Sequence, residues 1–425
     1  MRPAHAILAP MSVRRPSPDN PLSSGAGLAR GTSAFRRANI ALFAAGFATF
    51  SSLYTVQPLM PLFSHTFNIS ATASSLSLSV TTAILAVTLF MAGLMSEAID
   101  RRRMMSASLL ASAALSVIAA FAPGWYGLLT ARALEGIALG GVPALAMAYL
   151  SEEIRAGDLG FAMGLYVGGS AFGGMSGRVL AGVIADIGGW RAAIGSVGTL
   201  GFVSAAVFVW LLPPSRHFVA RRGLGLRDHL APIGRHLRHP ALPWLFVCGF
   251  VLMGGFVSLY NYIGYRLAGP PFRMSQSAIG SIFVVYLLGI AASAIFGRLA
   301  DRYGRAPALV SAFALMCAGL ACMWPNSLVM IVLGLALVTT GFFAGHSVAS
   351  GWVGPLAETG KGQAAGLYLL AYYLGSSVVG SLGGVFWQAA GWSGVELMVA
   401  VVLAIGVVAV VRLAYWQRRV GRALQ

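Results

Sequence analysis

An arginine and a glutamate lie three residues apart within an apolar segment, at Arg132 and Glu135. Residues at this spacing share one face of an α-helix and can form an ion pair. A charge near the centre of a bilayer costs at least about 2.5 kcal/mol, so such residues normally face a partner or an aqueous cavity. Burial favours a protonated carboxyl, whereas a neighbouring guanidinium favours the carboxylate. Glu135, the only acidic residue that we place within an apolar segment, is therefore a candidate proton carrier paired with Arg132; a purely structural ion pair is the alternative.

Other polar side chains also interrupt apolar segments. An anionic substrate group or Glu135 would neutralise Arg178. Tyrosine and asparagine near the end of a membrane span are also ordinary interfacial residues, and a single histidine such as His346 can either titrate or bond to a neighbouring helix. The polar residues of this kind are Gln57, Arg178, Asn261, Tyr262, Tyr265 and His346.

The composition places these residues in a membrane protein. Of the 425 residues, 57% are hydrophobic and 10% are charged, whereas a soluble domain carries roughly a quarter charged residues. The apolar runs approach the roughly 20 residues that a helix needs to cross the hydrocarbon core. We therefore predict an all-α polytopic membrane protein with twelve transmembrane helices. The predicted spans cover about residues 38–61, 73–96, 104–122, 126–149, 160–184, 190–212, 241–265, 275–299, 307–324, 326–350, 363–387 and 394–415.

The basic residues divide unequally between the predicted loops. A formal net charge of +17 would suggest nucleic-acid binding in a soluble protein. Here, 24 of the 29 Lys and Arg residues fall on one side of the predicted membrane. Because cytoplasmic loops are enriched in basic residues, we expect both termini to be cytoplasmic and no nucleic acid to bind. The cysteines and histidines lack metal-ligand spacing, so we expect no metal site.

The chain repeats itself with a constant offset. The pattern of Leu42–Phe47 recurs at Leu245–Phe250, offset by 203 residues, and that of Gly164–Tyr166 recurs at Gly366–Tyr368, offset by 202. A duplicated six-helix unit explains one period in separate regions. The predicted organisation is a disordered cytoplasmic N-terminal tail (1–33), an N-terminal six-helix half (34–212), a basic cytoplasmic linker (213–240), a C-terminal six-helix half (241–416) and a cytoplasmic C-terminal tail (417–425).

A short charged loop also occurs twice, 204 residues apart. The second copy is Gly297-Arg-Leu-Ala-Asp-Arg-Tyr-Gly-Arg305, and a weaker first copy begins at Gly93. An aspartate at a helix end with arginines beyond it can bond to neighbouring helix ends in one conformation and release them in another. We interpret both loops as conformational latches. The latch residues are Gly93, Glu97, Asp100, Arg101 and Arg102 in the first copy, and Gly297, Asp301, Arg302, Gly304 and Arg305 in the second.

From about residue 34 to residue 418, the chain resembles the major facilitator superfamily. The loop Gly297–Arg305 looks like the signature that this superfamily carries between spans 2 and 3 and between spans 8 and 9. The first copy departs from the signature, because Glu97 replaces the usual aspartate and Asp100 stands at the second glycine. The resemblance implies two six-helix halves around a central cavity lined by spans 1, 4, 7 and 10. By analogy with that cavity, the candidate contacts for a small-molecule substrate are Gln57, Arg178, Asn261, Tyr262, Tyr265 and His346.

Shorter segments resemble motifs that bear on proton coupling and on the direction of transport. Arg132-x-x-x-Gly136 is similar to the span-4 pattern of drug-proton antiporters, in which the arginine is implicated in proton coupling. The glycine-rich run Gly164–Gly182 resembles their span-5 motif, but with Gly174 at the usual proline position and Arg178 at the last glycine. We expect its glycines to pack helices closely. Segments such as Leu53–Pro61 and Tyr149–Ile154 resemble the YnfM-type bacterial inner-membrane transporters.

The resemblance implies a secondary active transporter of the inner membrane. We predict that it moves a small organic molecule by alternating access, with protons as the coupling ion and export by antiport as the direction. Proton-coupled uptake and a non-transporting receptor or scaffold are the alternatives. We expect no enzyme activity and no cofactor, with the proton gradient as the energy source, and a monomer surrounded by membrane lipid.

Overall fold

The structure is a computed structural model that describes residues 27–95, 100–216, 226–357 and 359–423. Apart from one isolated bridge between Leu28 and Ile154, the secondary structure of these residues is helical. The helices are α1 (Ser33–Tyr54), α2 (Met60–Phe67), α3 (Ala71–Met95), α4 (Arg101–Ala120), α5 (Trp125–Leu139), α6 (Pro143–Glu153), α7 (Ala156–Leu211), α8 (Leu226–Arg238), α9 (Leu242–Ala268), α10 (Gln276–Ser281), a 3-10 turn (Ile282–Val285), α11 (Tyr286–Tyr303), α12 (Arg305–Cys322), α13 (Leu328–Leu356) and α14 (Lys361–Ala423).

Nine helical segments in the described part of the chain are long and apolar enough to cross a membrane. The two longest, α7 and α14, bend where the backbone leaves helical geometry, at Gly189 and at Ala390–Gly391. Both glycines have a positive φ, 73° and 59°, in the region where a side chain would add strain. The protein is therefore an all-helical, multi-pass membrane protein, as the sequence predicts.

Two predicted spans are interrupted. The first, predicted over residues 38–61, divides into α1 and α2, with Pro58 between them. The fourth, predicted over 126–149, divides into α5 and α6, and Pro143 lies in the first turn of α6. Proline lacks the N–H that a helix interior requires but is tolerated in a first turn. The fourth predicted span nevertheless lies within one candidate membrane span, Trp125–Glu153, so the prolines interrupt the helix without ending that span.

The contact between α1 and α7 in the N-terminal helices (α1–α7) recurs between α9 and α14 in the C-terminal helices (α9–α14). A Cβ atom at Gly173 would clash with the carbonyl oxygen of Phe47, and one at Gly375 would clash with that of Phe250. These pairs are related by the offsets of 202 and 203 residues that appear in the sequence. The predicted close packing through small residues is confirmed for the run that contains Gly173.

Substituting Gly173 by alanine is expected to destabilise the protein by about 1–3 kcal/mol, because the added methyl group must push α1 and α7 apart. Gly168 provides the matched control, because it lies on the same helix and a Cβ atom there would meet no other atom. Thermal unfolding in detergent should therefore show a loss of stability for Gly173→Ala and little change for Gly168→Ala. Equal effects of the two substitutions would contradict the close contact.

The structure describes parts of the predicted N-terminal tail and of the predicted linker. Residues 27–32 belong to the predicted tail, and here Leu28 N donates to Glu153 O at 2.7 Å while Arg155 N donates to Leu28 O at 3.2 Å. The predicted linker contains α8, whose His236 Nε2 lies 3.1 Å from Gly360 O. The predictions for residues 1–26 and 217–225 concern residues outside the described part.

Candidate functional site

The Arg132–Glu135 pair is enclosed by the N-terminal helices. Arg132 is 1% exposed and Glu135 is 0% exposed, and Arg132 Nη1 lies 2.5 Å from Glu135 Oε2. The second carboxylate oxygen accepts hydrogen bonds from the hydroxyls of Ser52 in α1 and Ser116 in α4. Arg132 Nε also donates to Ser77 O in α3 at 3.1 Å. In this conformation the two charges neutralise each other and are fully hydrogen-bonded.

The same guanidinium satisfies the end of α1. Arg132 Nη2 donates to Leu53 O at 2.7 Å, and Nη1 donates to Ser52 O at 3.1 Å. The last carbonyls of a helix have no N–H partner within the helix, and the chain between α1 and α2 contains Pro58, which has no N–H to offer. Arg132 therefore connects the charge pair to the break after α1, where Gln57 lies.

A hydrogen-bonded chain crosses from the N-terminal to the C-terminal helices at Gln57. Its Nε2 donates to Asn261 Oδ1 at 2.7 Å, and its Oε1 accepts from Arg178 Nε at 2.6 Å. None of the three side chains is more than 1% exposed. Gln57 and Asn261 are 204 positions apart, one more than the 203-residue offset of this part of the repeat, so corresponding regions of the repeat meet where the two sets of helices face each other. We refer to Gln57, Arg178 and Asn261 as the seam.

Arg178 is held by neutral groups and aromatic rings. Its Nη1 donates to Gly174 O at 2.6 Å. Its guanidinium carbon lies 4.0 Å from the ring centre of Tyr54, 4.7 Å from that of Tyr286 and 5.0 Å from that of Phe283. Each cation–π contact contributes about 0.5–2 kcal/mol. The last two rings belong to the C-terminal helices, so Arg178 is covered from both sides of the seam.

The charge of Arg178 has no acidic counterpart among the residues that the structure describes. Glu135, which we considered from the sequence as a neutralising partner, is bonded to Arg132 instead. An unpaired ion in a protein interior is destabilising by several kcal/mol even after relaxation. The burial of Arg178 without an acidic partner among the described residues therefore requires an explanation.

Two predicted tyrosines lie one and four residues beyond Asn261 on α9. The hydroxyl of Tyr265 donates to Met60 O at 2.9 Å and lies 2.7 Å from Ser64 Oγ, which connects α9 to α2. The hydroxyl of Tyr262 donates to Gly380 O at 2.8 Å, within the C-terminal helices. Because both hydroxyls are bonded to the protein, these tyrosines support the closed seam in this conformation.

His346 lies in the C-terminal helices and is bonded to a neighbouring helix. Its Nδ1 is 3.0 Å from the hydroxyl of Tyr368 in α14, and its ring centre is 4.5 Å from that of Tyr372. The seam brings together Gln57, Arg178 and Asn261, but it does not include His346. This hydrogen bond is the structural alternative to a protonation site that the sequence left open.

The second charged loop makes few contacts. Asp301 and Arg302 are exposed, and Asp301 forms no hydrogen bond or ion pair with any residue in the described ranges. The guanidinium carbon of Arg302 lies 5.1 Å from the ring centre of its neighbour Tyr303. Gly304 has a φ of 95°, a left-handed conformation that glycine adopts without strain, so this glycine forms the tight turn before Arg305.

The first copy of the loop is bonded within the N-terminal helices. Arg101 is buried and donates to both carboxylate oxygens of Glu152, with Nε 2.6 Å from Oε2. Arg102 Nη2 donates to Val209 O at 2.7 Å. Asp100 caps α4 by accepting a hydrogen bond from the N–H of Arg103 at 2.8 Å. Gly93 lies near the end of α3, and the prediction for Glu97 concerns a residue outside the described part.

Asp186 forms a further contact between the two sets of helices, which the sequence did not predict. Its Oδ1 accepts from Gln276 N at 3.0 Å and its Oδ2 from Ser277 N at 2.8 Å, at the start of α10. Burial acts to raise the pKa of Asp186, but hydrogen bonds from Ser277, Gln276 and Ser275 outweigh it, so the pKa lies below its ordinary value of 3.8. No local pattern predicts this contact, because the partners are 90 residues apart.

Substituting Asp186 by alanine is expected to favour opening of the seam, because a lost N-terminal cap costs about 1 kcal/mol, or roughly fivefold in an equilibrium. Since the pKa of Asp186 is lowered, its contribution persists above the ordinary value of 3.8 and is lost only as the pH falls through the lowered value.

A cysteine at the buried position Met60 provides the measurement, after Cys248, Cys317 and Cys322 are replaced. Its rate of maleimide labelling should rise about fivefold with Asp186→Ala. At every pH above the ordinary pKa of 3.8, Asp186→Ala should raise the labelling rate by the same factor. The rates must first be corrected for the pH dependence of the thiol's own reactivity. An unchanged rate would show that the cap does not hold the seam.

A buried acid in α14 corrects a sequence expectation. Glu396 in α14 is 4% exposed, although we expected Glu135 to be the only acidic residue within an apolar segment. Arg266 Nη1 lies 4.0 Å from Glu396 Oε1 and donates to Met323 O at 2.7 Å. Arg266 also lies over the ring of Trp392, at 4.9 Å. These contacts fasten the end of α9 to α12 and α14.

The family model described as Major Facilitator Superfamily matches residues 42–269 and residues 267–425, which together cover more than half of the chain. The chain belongs to the Major Facilitator Superfamily. This confirms the resemblance drawn from the two charged loops. The members of this superfamily are transporters rather than enzymes and act on small-molecule substrates.

Relatives within the superfamily cover nearly the whole chain. The uncharacterized MFS-type transporter YybF of Bacillus subtilis strain 168 is 45% identical over 376 residues, which are 88% of this chain and 93% of the relative. The inner membrane transport protein YnfM of Escherichia coli K12 is 45% identical over 386 residues, which are 90% of this chain and 92% of the relative. The narrower resemblance to YnfM-type transporters is thereby confirmed.

A solved structure confirms the superfamily fold. The crystal structure of a bacterial homologue of the human lysosomal transporter Spinster, in an inward-facing and unoccupied conformation, matches with a TM-score of 0.67 at 17% identity. The match covers 90% of this chain and 95% of that chain. The helical arrangement described above is therefore that of a Major Facilitator Superfamily transporter.

Proposed function

We propose that this transporter is a proton-coupled exporter of a small organic molecule that works by alternating access. The observation that carries the proposal is the hydrogen bonding described for Gln57 and Asp301, which differs between the two ends of the spans. Gln57 and Asn261 close the seam at one end of the spans, whereas the exposed Asp301, at the other end, bonds to none of the described residues. Alternating access requires a state in which the two sets of helices are bonded to each other at one end of the spans and not at the other. The contacts of Gln57 and Asp301 correspond to such a state.

The proposed organisation has twelve spans in two six-helix halves, 34–212 and 241–416, joined by the basic linker. It is supported by the bends in α7 and α14. The 56 residues of α7 extend for about 84 Å at 1.5 Å per residue, more than twice the roughly 30 Å of a hydrocarbon core. The distribution of basic residues supports cytoplasmic termini, and the similarity to YnfM supports the inner membrane as the location.

Glu135 is the proposed proton carrier, and its contacts suggest how a proton would reach the seam. A proton on Glu135 would remove the negative charge that faces Arg132 across 2.5 Å. Arg132 holds the carbonyl oxygens of Ser52 and Leu53, which lie immediately before the break that carries Gln57. A shift of this guanidinium would therefore move the end of α1 and change the bond between Gln57 and Asn261.

Export by antiport remains the proposed direction, and it is supported by the similarity of Arg132-x-x-x-Gly136 to the antiporter pattern. The electrical part of the proton gradient supplies about 2.3 kcal/mol per charge per 100 mV. Uptake with protons would use the same residues. Inside-out membrane vesicles distinguish the directions, because an exporter accumulates its substrate in them when their interior is acidified, whereas a symporter does not.

Purified protein in liposomes tests the proposed activity. A pH-sensitive dye is enclosed, and a panel of small organic acids, amines and neutral compounds is added outside. At least one compound should change the internal pH faster in liposomes that contain the protein than in empty liposomes, which weak acids and amines enter only by diffusion of their neutral forms. A receptor or scaffold of the same fold would bind a compound without proton movement, and that outcome would contradict coupled transport.

A further inference from the structure

We propose that the seam is a binding site for an aromatic carboxylate, whose anionic group is held by Arg178 and Tyr286. This inference rests on the proposed transport function and names the class of its substrate. Arg178 comes from the N-terminal helices and Tyr286 from the C-terminal helices. A ligand between them would contact both sets of helices, as a substrate must in alternating access.

The hydrogen bonds of Arg178 leave room for an anion. Two guanidinium nitrogens donate to neutral oxygens: Nε donates to Gln57 Oε1 at 2.6 Å and Nη1 to Gly174 O at 2.6 Å. Nη2 has no hydrogen-bond partner among the described residues, and no described carboxylate neutralises the charge. A guanidinium matches a carboxylate through two parallel hydrogen bonds. In the closed seam, the amide oxygen of Gln57 occupies one such position.

The hydroxyl of Tyr286 is a second donor aimed at the same place. Tyr286 is 4% exposed, and its hydroxyl lies close to the guanidinium of Arg178 but donates to no acceptor in the described part of the protein. Its ring centre lies 4.7 Å from the guanidinium carbon of Arg178. The neighbouring Tyr260, by contrast, is bonded to Thr339 Oγ1 at 2.7 Å. A buried donor without an acceptor is costly, and an anion oxygen between Arg178 and Tyr286 would satisfy both groups.

The surroundings of Arg178 indicate what the rest of the ligand is. The rings of Tyr54, Phe283 and Tyr286 lie within 5.0 Å of its guanidinium carbon. From Tyr286, ring contacts continue through Phe256 to Phe342, with centre distances of 5.6 Å and 3.8 Å. These faces suit a flat apolar body. A cationic ligand would instead be repelled by Arg178, because no described acidic group is paired with it.

Binding of benzoate to the purified protein in detergent tests the inference, with benzamide as the neutral isostere and benzylamine as the cationic one. Benzoate should raise the unfolding temperature of the wild type in a concentration-dependent manner, whereas the other two compounds should not. Arg178→Gln should weaken benzoate binding about 10- to 100-fold, the range of a charge-assisted hydrogen-bonded contact. Arg191→Gln, which removes an exposed charge elsewhere on α7, should leave it unchanged.

If Arg178→Gln does not fold, the variant Tyr286→Phe tests the proposed site instead. Tyr286→Phe removes only a hydroxyl that donates to no acceptor in the described structure, so the unfolding temperature without ligand should fall little. Its affinity for benzoate should nevertheless decrease about 2- to 10-fold. Tyr260→Phe is the matched control: it breaks the bond to Thr339, so it should lower stability and leave the affinity unchanged.

Equal binding of benzoate and benzamide, or undiminished benzoate binding in both Arg178→Gln and Tyr286→Phe, would overturn the inference. The binding measurement uses no gradient, so its failure differs from a failure of the proposed function. Proton-coupled transport of a neutral or cationic compound, without benzoate binding, would refute the carboxylate site alone. Benzoate binding that depends on Arg178, without proton movement for any carboxylate, would refute the transport function alone.

Discussion

Replacing Glu135 with glutamine is expected to make the conformational equilibrium of the transporter independent of pH. Glutamine imitates the protonated carboxyl, so the charge that faces Arg132 at 2.5 Å is absent at every pH. In the wild type, by contrast, protonation of Glu135 would loosen Arg132 from the end of α1 and thereby alter the seam. Distances between spin labels on the two sets of helices, measured at acidic and at neutral pH, provide the observation.

The matched control for this variant is Glu396→Gln. Glu396 is also a buried acid, at 4% exposure, but it pairs with Arg266 in the C-terminal helices. The control should retain the pH dependence of the wild type. If Glu135→Gln retained it and Glu396→Gln lost it, Glu135 would be a structural ion-pair partner and the proton carrier would lie in the C-terminal helices.

Replacing Arg132 with methionine is expected to destabilise the protein by about 3–5 kcal/mol at neutral pH, because it leaves Glu135 buried without its partner. It also leaves the carbonyl oxygens of Ser52 and Leu53 without donors. Protonation of Glu135 removes the unpaired charge, so the loss of stability should be smaller at acidic pH. Chemical unfolding in detergent at both pH values measures these effects.

The double variant Arg132→Met with Glu135→Gln separates the contribution of the ion pair from that of the hydrogen bonds between Arg132 and the carbonyls of α1. It removes both charges, so it should be more stable at neutral pH than Arg132→Met alone, because the energies of residues in direct contact do not add. Its stability should also depend less on pH. Additive losses in the two single variants would show that the ion pair contributes little and that Arg132 acts only through the carbonyls of α1.

Local spacing was sufficient to predict the first part of the site. Arg132 and Glu135 are three residues apart, and a helix necessarily brings residues at that spacing together. The glycine spacing around Gly173 predicted a close helix contact in the same way. The hydroxyl partners of Glu135 were not predictable, because Ser52 is 83 positions away and only the packing of α1 against α5 brings it to the carboxylate.

The seam shows what a repeat can and cannot indicate. The period of 202–204 residues places Gln57 and Asn261 in corresponding regions of the two halves, but this correspondence alone does not predict that they bond to each other. That contact arises because both lie where the two sets of helices meet. The cap of Asp186 on α10 and the unpaired state of Arg178 likewise depend on tertiary packing. Pro58 was a visible signal for the break after α1, and the prediction of a continuous span overlooked it.

Paired distance measurements test the central claim, alternating access through the seam, most directly. One pair of spin labels is placed at Ile187 and Arg273, near the seam, and another at Arg103 and Tyr303, near the charged loops. Alternating access predicts two distances for each pair, and Asp186→Ala should shift them in opposite senses, so that the first distance lengthens while the second shortens. A single distance in both pairs, or changes in the same sense, would contradict alternating access.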